Sequence, residues 1–293
     1  MTAPALSRRR ALGLFAAAPL IAGCAFDPSA IRVGSKNFTE SFVIAEIYAQ
    51  ALEGAGMHVA RLFNLGSTQI AIAAMQRGNV DLYPEYTGTA LIDVLHLPPI
   101  ADPAAAYATV ARLFKQRYGF VWLTPSPMND SQALATTRAI AEGKGLTTLS
   151  DVARAAPTLR LATIQEFLAR PDGLPGLQRA YGGFQFREVR TYDIALKYRA
   201  LLEGKADVAS AFTTDGEIAT DALVVLKDDR HFWSAYNVAP VVRGATLSAR
   251  PAVARVLDAV SPRITDRAAR TMNAAVEDRQ ADPADVAAEF LRG

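Results

Sequence analysis

The run Gly78-Asn79-Val80-Asp81-Leu82-Tyr83-Pro84-Glu85-Tyr86-Thr87-Gly88-Thr89 decides how this chain folds. A glycine able to end a helix is followed by a short strand-like segment and then by a turn rich in hydroxyls, which reads as a helix-to-strand-to-helix passage. Gly204-Lys205-Ala206-Asp207-Val208 echoes its first five positions, again behind a helical run and ahead of a strand. Either the match of five residues is chance, or the chain is built from two similar α/β lobes.

Outward from this run the same alternation continues. Ile31-Arg32-Val33-Gly34-Ser35 reads as a strand, followed by a helix from about Thr39 to Leu52. Further strands are expected at Phe120 to Thr124, Leu159 to Ile164, Phe184 to Val189, Ala222 to Leu226 and Val238 to Val242. Asp102-Pro103 caps and opens a helix that Gly119 closes, and the stretch from Ser248 onward is almost wholly helical. Such a rhythm is that of an α/β protein.

At the N-terminus, Arg8, Arg9 and Arg10 precede an apolar run from Ala11 to Gly23 that is too short to span a bilayer, so residues 1–23 read as a signal peptide. Leu20-Ile21-Ala22-Gly23-Cys24 has the form of a lipobox, which makes Cys24 the expected site of lipidation and the mature protein a periplasmic one anchored to a membrane. A buried free thiol is the plainer reading of Cys24. Ser7-Arg8-Arg9 with Leu12 also fits a twin-arginine leader, although an ordinary leader begins with positive charge as well. With 1 cysteine in the chain no internal disulfide is expected, and a composition 51% apolar supplies the core instead. Lysine and arginine together number 31 against 29 acidic residues, which gives no reason to expect nucleic acid as a partner.

Ligands of α/β sheets bind beyond strand ends, and three such places stand out. Gly34 to Glu40 runs from a strand into a helix whose first amides favour an anion, with Lys36 beside them. Asp81 to Thr89 sets two aromatics and two hydroxyls on a turn, and Phe212-Thr213-Thr214-Asp215-Gly216 holds the matching place in the second repeat. Each residue also has a plainer role. Tyr83, Tyr86 and Tyr236 read equally well as packing between elements; Lys36 and Arg170 as solvated charges or ion-pair partners; Glu85 and Asp215 as caps or loop holders.

Catalysis finds little support. Asp215, Glu217 and His231 can be imagined as an acid/base set. The three histidines, however, are widely spaced without a zinc motif, and no nucleophile elbow, phosphate loop or dinucleotide fingerprint occurs. No catalytic residue, metal or cofactor is therefore expected.

The segments SKNFTE (35–40), YPEYTGT (83–89), FLARPDGLPG (167–176), FTTDG (212–216), KDD (227–229) and APVVR (239–243) together resemble the substrate-binding proteins of glycine betaine, choline and carnitine ABC importers. That resemblance implies an α/β, two-lobed periplasmic-binding-protein fold (type II), with two crossover segments forming a hinge near Leu123 to Ser126 and Ser234 to Ala239. Lobe I would comprise residues 27–126 plus 235–293, and lobe II residues 127–234. It implies further that a quaternary ammonium ligand is held in the cleft by aromatic faces at Tyr86 and Tyr236 and by carboxylate-holding groups at Lys36, Thr89 and Arg170. Gln132, in the run Asn129-Asp130-Ser131-Gln132, and Phe212 stand where tyrosines are usual, and Asp130 is counted with them in the ligand-binding set. Phe212 keeps a π face, whereas Gln132 offers an amide suited to a polar group. The implied partners are an ABC permease and its ATPase subunits, with the protein itself a monomer. Other readings are a binding protein for a different polar zwitterion and a signalling receptor lobe.

Overall fold

The computed structural model describes residues 29–293 except 101, 195, 220, 221 and 234. The expected leader, residues 1–23, and Cys24 lie outside the described residues, as does Ser234 of the second expected crossover. Among the described residues ten strands form two five-stranded sheets. In chain order they are β1 (Ile31–Gly34), β2 (Val59–Leu62), β3 (Leu82–Tyr86), β4 (Phe120–Trp122), β5 (Gln132–Thr137), β6 (Arg160–Thr163), β7 (Glu188–Thr191), β8 (Val208–Phe212), β9 (Leu223–Val225) and β10 (Val238–Arg243). The first sheet has the order β2-β1-β3-β10-β4 and the second β7-β6-β8-β5-β9. In each, three parallel strands are followed by one antiparallel strand and then by a last strand that pairs antiparallel with it. In both, the strand next to the parallel trio enters directly from a passage between sheets: β5 follows the first passage and β10 the second.

The echo read from the sequence is structural. Gly78 and Gly204 both adopt left-handed backbone, with φ of 73° and 68°, a conformation glycine takes without steric cost. Three residues on, Asp81 accepts hydrogen bonds from Arg32 N (2.9 Å), Nε (2.8 Å) and Nη2 (2.9 Å). Asp207 accepts the same three from Arg160 at 2.8, 3.0 and 3.0 Å. One carboxylate thus pins the end of the neighbouring strand in each sheet.

Two strands escape the sequence reading, and one is displaced. β5, Gln-Ala-Leu-Ala-Thr-Thr, has no alternation of large apolar residues, and its pairing with β8 and β9 on either side determines it. β2 is short and only partly buried. The strand expected from Phe184 begins instead at Glu188, because Phe184 sits at φ 61° and turns its ring edge-on to Tyr181, 5.6 Å between centroids.

Pro84 of β3 and Pro240 of β10 face each other in register, a place where neither strand asks the other for an N–H, so two prolines sit inside a sheet without breaking its ladder. The helix Pro103–Tyr118 starts and stops where expected, with the Asp102 carboxylate accepting from Ala105 N and Gly119 at φ 70°. Buried apolar side chains gather in one large cluster around the first sheet and two smaller ones on the faces of the second.

Candidate functional site

A cleft of about 620 Å³ lies between the two sheets. Lys36, Tyr86, Thr89, Asp130, Gln132, Arg170, Phe212 and Tyr236, all singled out from the sequence, line it. The elements explain why. β1 ends at Gly34 and hands over to the helix Thr39–Gly54, placing Lys36 before that helix and Glu40 in its first turn; Lys36 N donates to Ser41 Oγ at 2.8 Å. The end of β3 delivers Tyr86, and the turn beyond it Thr89. Gln132 opens β5 directly opposite Phe212, the last residue of β8, so the two residues expected to stand in place of tyrosines are cross-strand neighbours. Tyr236 arrives on the return passage, with its ring so close to Gly88 that a Cβ there would lie 2.4 Å away.

Among the described residues three basic side chains line the cleft, and each has a partner. Lys36 Nζ lies 2.8 Å from Glu85 Oε1 and 4.6 Å from the centroid of the Tyr86 ring. Glu85 is wholly buried and also accepts from Tyr83 Oη and Tyr86 N, both at 2.8 Å. The second sheet repeats the device: Lys197 Nζ lies 3.0 Å from Asp215 Oδ2, 4.3 Å from the Tyr198 ring and 5.5 Å from that of Phe212. Arg170 donates from Nε and Nη2 to the two oxygens of Asp172, each at 2.8 Å, and from Nη1 to Asp93. Asp93 is carried by the π-helical turn Ala90–Val94 that follows Thr89. Tyr236 Oη donates to the same Asp172. Of the plainer roles weighed for Lys36 and Arg170, ion pairing is the one observed; Glu85 and Asp215 are the carboxylates that hold the two lysines.

Eight acidic side chains share the cleft with these three bases among the described residues. Glu40 accepts from Tyr86 Oη at 2.7 Å and from Asn273 Nδ2 at 2.9 Å. Burial raises its pKa, and hydrogen bonds from Thr214, Tyr86 and Asn273 only partly offset that. Burial and the nearby Glu40 hold Asp130 well above the usual carboxylate range; its Oδ1 accepts from Thr214 Oγ1 at 2.7 Å. Glu277, on the helix Asp266–Glu277, is pushed up to about 8 by burial and by the charges of Glu217 and Asp215. Glu40, Asn273, Glu277, Lys197 and Asp93 escaped the sequence reading. They come from places far apart in the chain, and only Glu40 lies within a quoted motif.

The imagined acid/base set does not assemble: Asp215 and Glu217 line the cleft and His231 does not. No group of three or more histidine, cysteine or acidic side chains suited to a metal occurs among the described residues. Nor is any helix among them long and apolar enough to cross a membrane.

Comparison with known proteins places this geometry. A family described as the substrate-binding domain of the ABC-type glycine betaine transport system matches residues 29–293. The glycine-betaine-binding protein of Pseudomonas aeruginosa is 38% identical, covering 97% of this chain and 93% of that protein. The glycine betaine-binding protein YehZ of Escherichia coli is 31% identical over 90% of each. Among solved structures, a glycine betaine/carnitine/choline ABC transporter protein superposes with a TM-score of 0.78 at 29% identity, covering 89% of this chain and 97% of that one.

Proposed function

Since the chain belongs to the family of substrate-binding domains of ABC-type glycine betaine transport systems, with their two-lobed periplasmic-binding-protein fold, we propose that it binds a quaternary ammonium compound such as glycine betaine, choline or carnitine in its cleft. In this reading it hands the ligand to a membrane permease driven by ATPase subunits and catalyses nothing. One observation carries the reading: aromatic side chains from both halves of the molecule, Tyr86 and Tyr236 on one side and Phe212 on the other, line a single cleft. A methylated nitrogen donates no hydrogen bond, and π faces attract it by roughly 2 kcal/mol when water is excluded. Thr89, Gln132 and Asp130 supply the polar end of the site. Lys36 and Arg170 brace its walls, and Arg170 keeps N–H groups beyond the three it commits to Asp172 and Asp93.

Residues 27–126 with 235–293 form one lobe in this reading and 127–234 the other, closing about the passages that flank β5 and β10. The protein acts as a monomer outside the cytoplasm, held to a membrane through Cys24, and the arginine pair at its start suits the twin-arginine route. Isothermal titration with glycine betaine, choline and carnitine tests the ligand class. Saturable one-to-one heat is expected with at least one of them, weakened more than tenfold by Tyr86→Ala; no heat with any, from folded protein, would discard it.

A further inference from the structure

Among the described residues Arg170 is the one cleft base paired with two carboxyls. Lys36 meets Glu85 and Lys197 meets Asp215, whereas the Arg170 guanidinium gives Nε and Nη2 to Asp172 and Nη1 to Asp93. The two acids come from different places. Asp172 lies two residues beyond Arg170 in the chain. Asp93 lies 77 residues before it, on the π-helical turn Ala90–Val94, whose Leu91 and Ile92 are packed in the core of the first sheet. Arg170 follows the helix Gln165–Ala169, whose Phe167 is packed in a core cluster of the second. The Asp172 contact therefore stays on one side of the cleft and the Asp93 contact crosses it.

A guanidinium offers a carboxylate two places for paired N–H bonds, the Nε–Nη2 side and the Nη1–Nη2 end. Asp172 fills the first with both of its oxygens, each at 2.8 Å. A ligand carboxylate is left with the end, and Asp93 already accepts from Nη1 there. Thr89, Asp93 and Arg170 all line the cleft, so this contact lies where the carboxylate of a ligand is expected. Burial raises the pKa of Asp93 and the Arg170 charge opposes that. A carboxyl oxygen accepts from Nη1 in either protonation state, so the contact does not depend on which form is present. The two side chains are 18% and 15% exposed, and a group that takes the place of Asp93 must supply an acceptor at least as good.

We infer that Asp93 is a specificity-determining residue of the cleft: its carboxyl occupies the place of a ligand carboxylate on Arg170, so that a ligand bearing a carboxylate binds by displacing it. A ligand without a carboxylate leaves Asp93 as the bond between the two sides of the cleft, and one with a carboxylate takes that bond over. Asp93 thus discriminates by the anionic end of the ligand, whereas the aromatic side chains read its methylated nitrogen. This rests on the ligand class proposed above and deepens it.

Glycine betaine and choline share the trimethylammonium head, and only the first carries a carboxylate, so the pair separates this effect from any change in the aromatic part of the site. Isothermal titration of the purified protein, of Asp93→Ala and of Asp93→Asn with each ligand is the test. Asp93→Ala is expected to tighten glycine betaine at least fivefold and to leave choline unchanged or weaker. Asp93→Asn keeps the shape and one accepting oxygen but not the charge, and its affinity for glycine betaine is expected to fall between; it carries the test alone where Asp93→Ala does not fold. Glycine betaine unchanged or weakened in a folded variant, or both ligands tightened alike, overturns the inference and leaves the ligand class standing. Silence of all three proteins with both ligands, and with carnitine, overturns the two together.

Discussion

Lys36 and Glu85 are charged side chains in a place where water barely reaches them, 5% and 0% exposed, and the pair is tolerable only because each completes the other. Desolvation costs several kcal/mol per ion, so the arrangement is costly to break from one side. Glu85→Gln leaves the ammonium buried against the Tyr86 ring with no counter-charge, and is expected to cost about 3 kcal/mol in urea unfolding. Were the pair a solvated surface contact, the loss would be near zero. Lys36 was legible as a site residue because it sits where a strand feeds a helix. Its partner was not, since in the sequence Glu85 is one acid in a turn, and only the pairing of β3 between β1 and β10 turns its side chain towards Lys36.

Elements meet closely where glycines let them. Gly88 lies in the turn after β3 under the ring of Tyr236, and an added Cβ would approach ring atoms at 2.4 to 2.5 Å. Gly88→Ala must therefore tilt that ring and loosen its hydrogen bond to Asp172. The expected result is a drop in ligand affinity of at least tenfold by titration calorimetry, with a stability loss of about 1–3 kcal/mol for the overpacked contact. An affinity unchanged by this substitution would remove Tyr236 from the site. Strands in the first sheet were legible where β-branched residues crowd, as in Val238–Arg243. β5 was not, because alanine and threonine in a six-residue run carry no period that separates strand from helix.

Across the whole molecule, elements from both sheets converge on one acidic region, and its titration couples to folding. The carboxyls of Glu40, Asp130, Glu217 and Glu277 all bind protons more tightly in the folded protein than in the unfolded chain, Glu277 up to about 8. Groups with raised pKa contribute stability that is fully present below their unfolded values and is lost as pH rises through the folded ones. The ligand-free protein is expected to melt at progressively lower temperature from about pH 5 to pH 8. Glu277→Gln should flatten that slope and raise Tm at pH 8 by roughly 2–4 °C, the change that ~1 kcal/mol makes in a protein of this size. A melting temperature independent of pH over this range would show that these carboxyls titrate normally.

By itself the sequence determined the α/β class and the helix Pro103–Tyr118, and it offered the echo at Gly78 and Gly204; the eight residues that line the cleft were named as a set only through the resemblance of its motifs to a known family. The class, the helix and the echo follow from local rules, left-handed glycines and capping carboxylates among them, whereas the site residues follow from the resemblance alone. Tertiary structure alone decided the charge of the site. Glu40, Asp130, Glu217 and Glu277 are spread over most of the chain, and Lys36 and Arg170 are ordinary basic residues until Glu85, Asp172 and Asp93 are folded against them. Electrostatic energy depends on distance in space and on burial, and neither is a property of position along the chain.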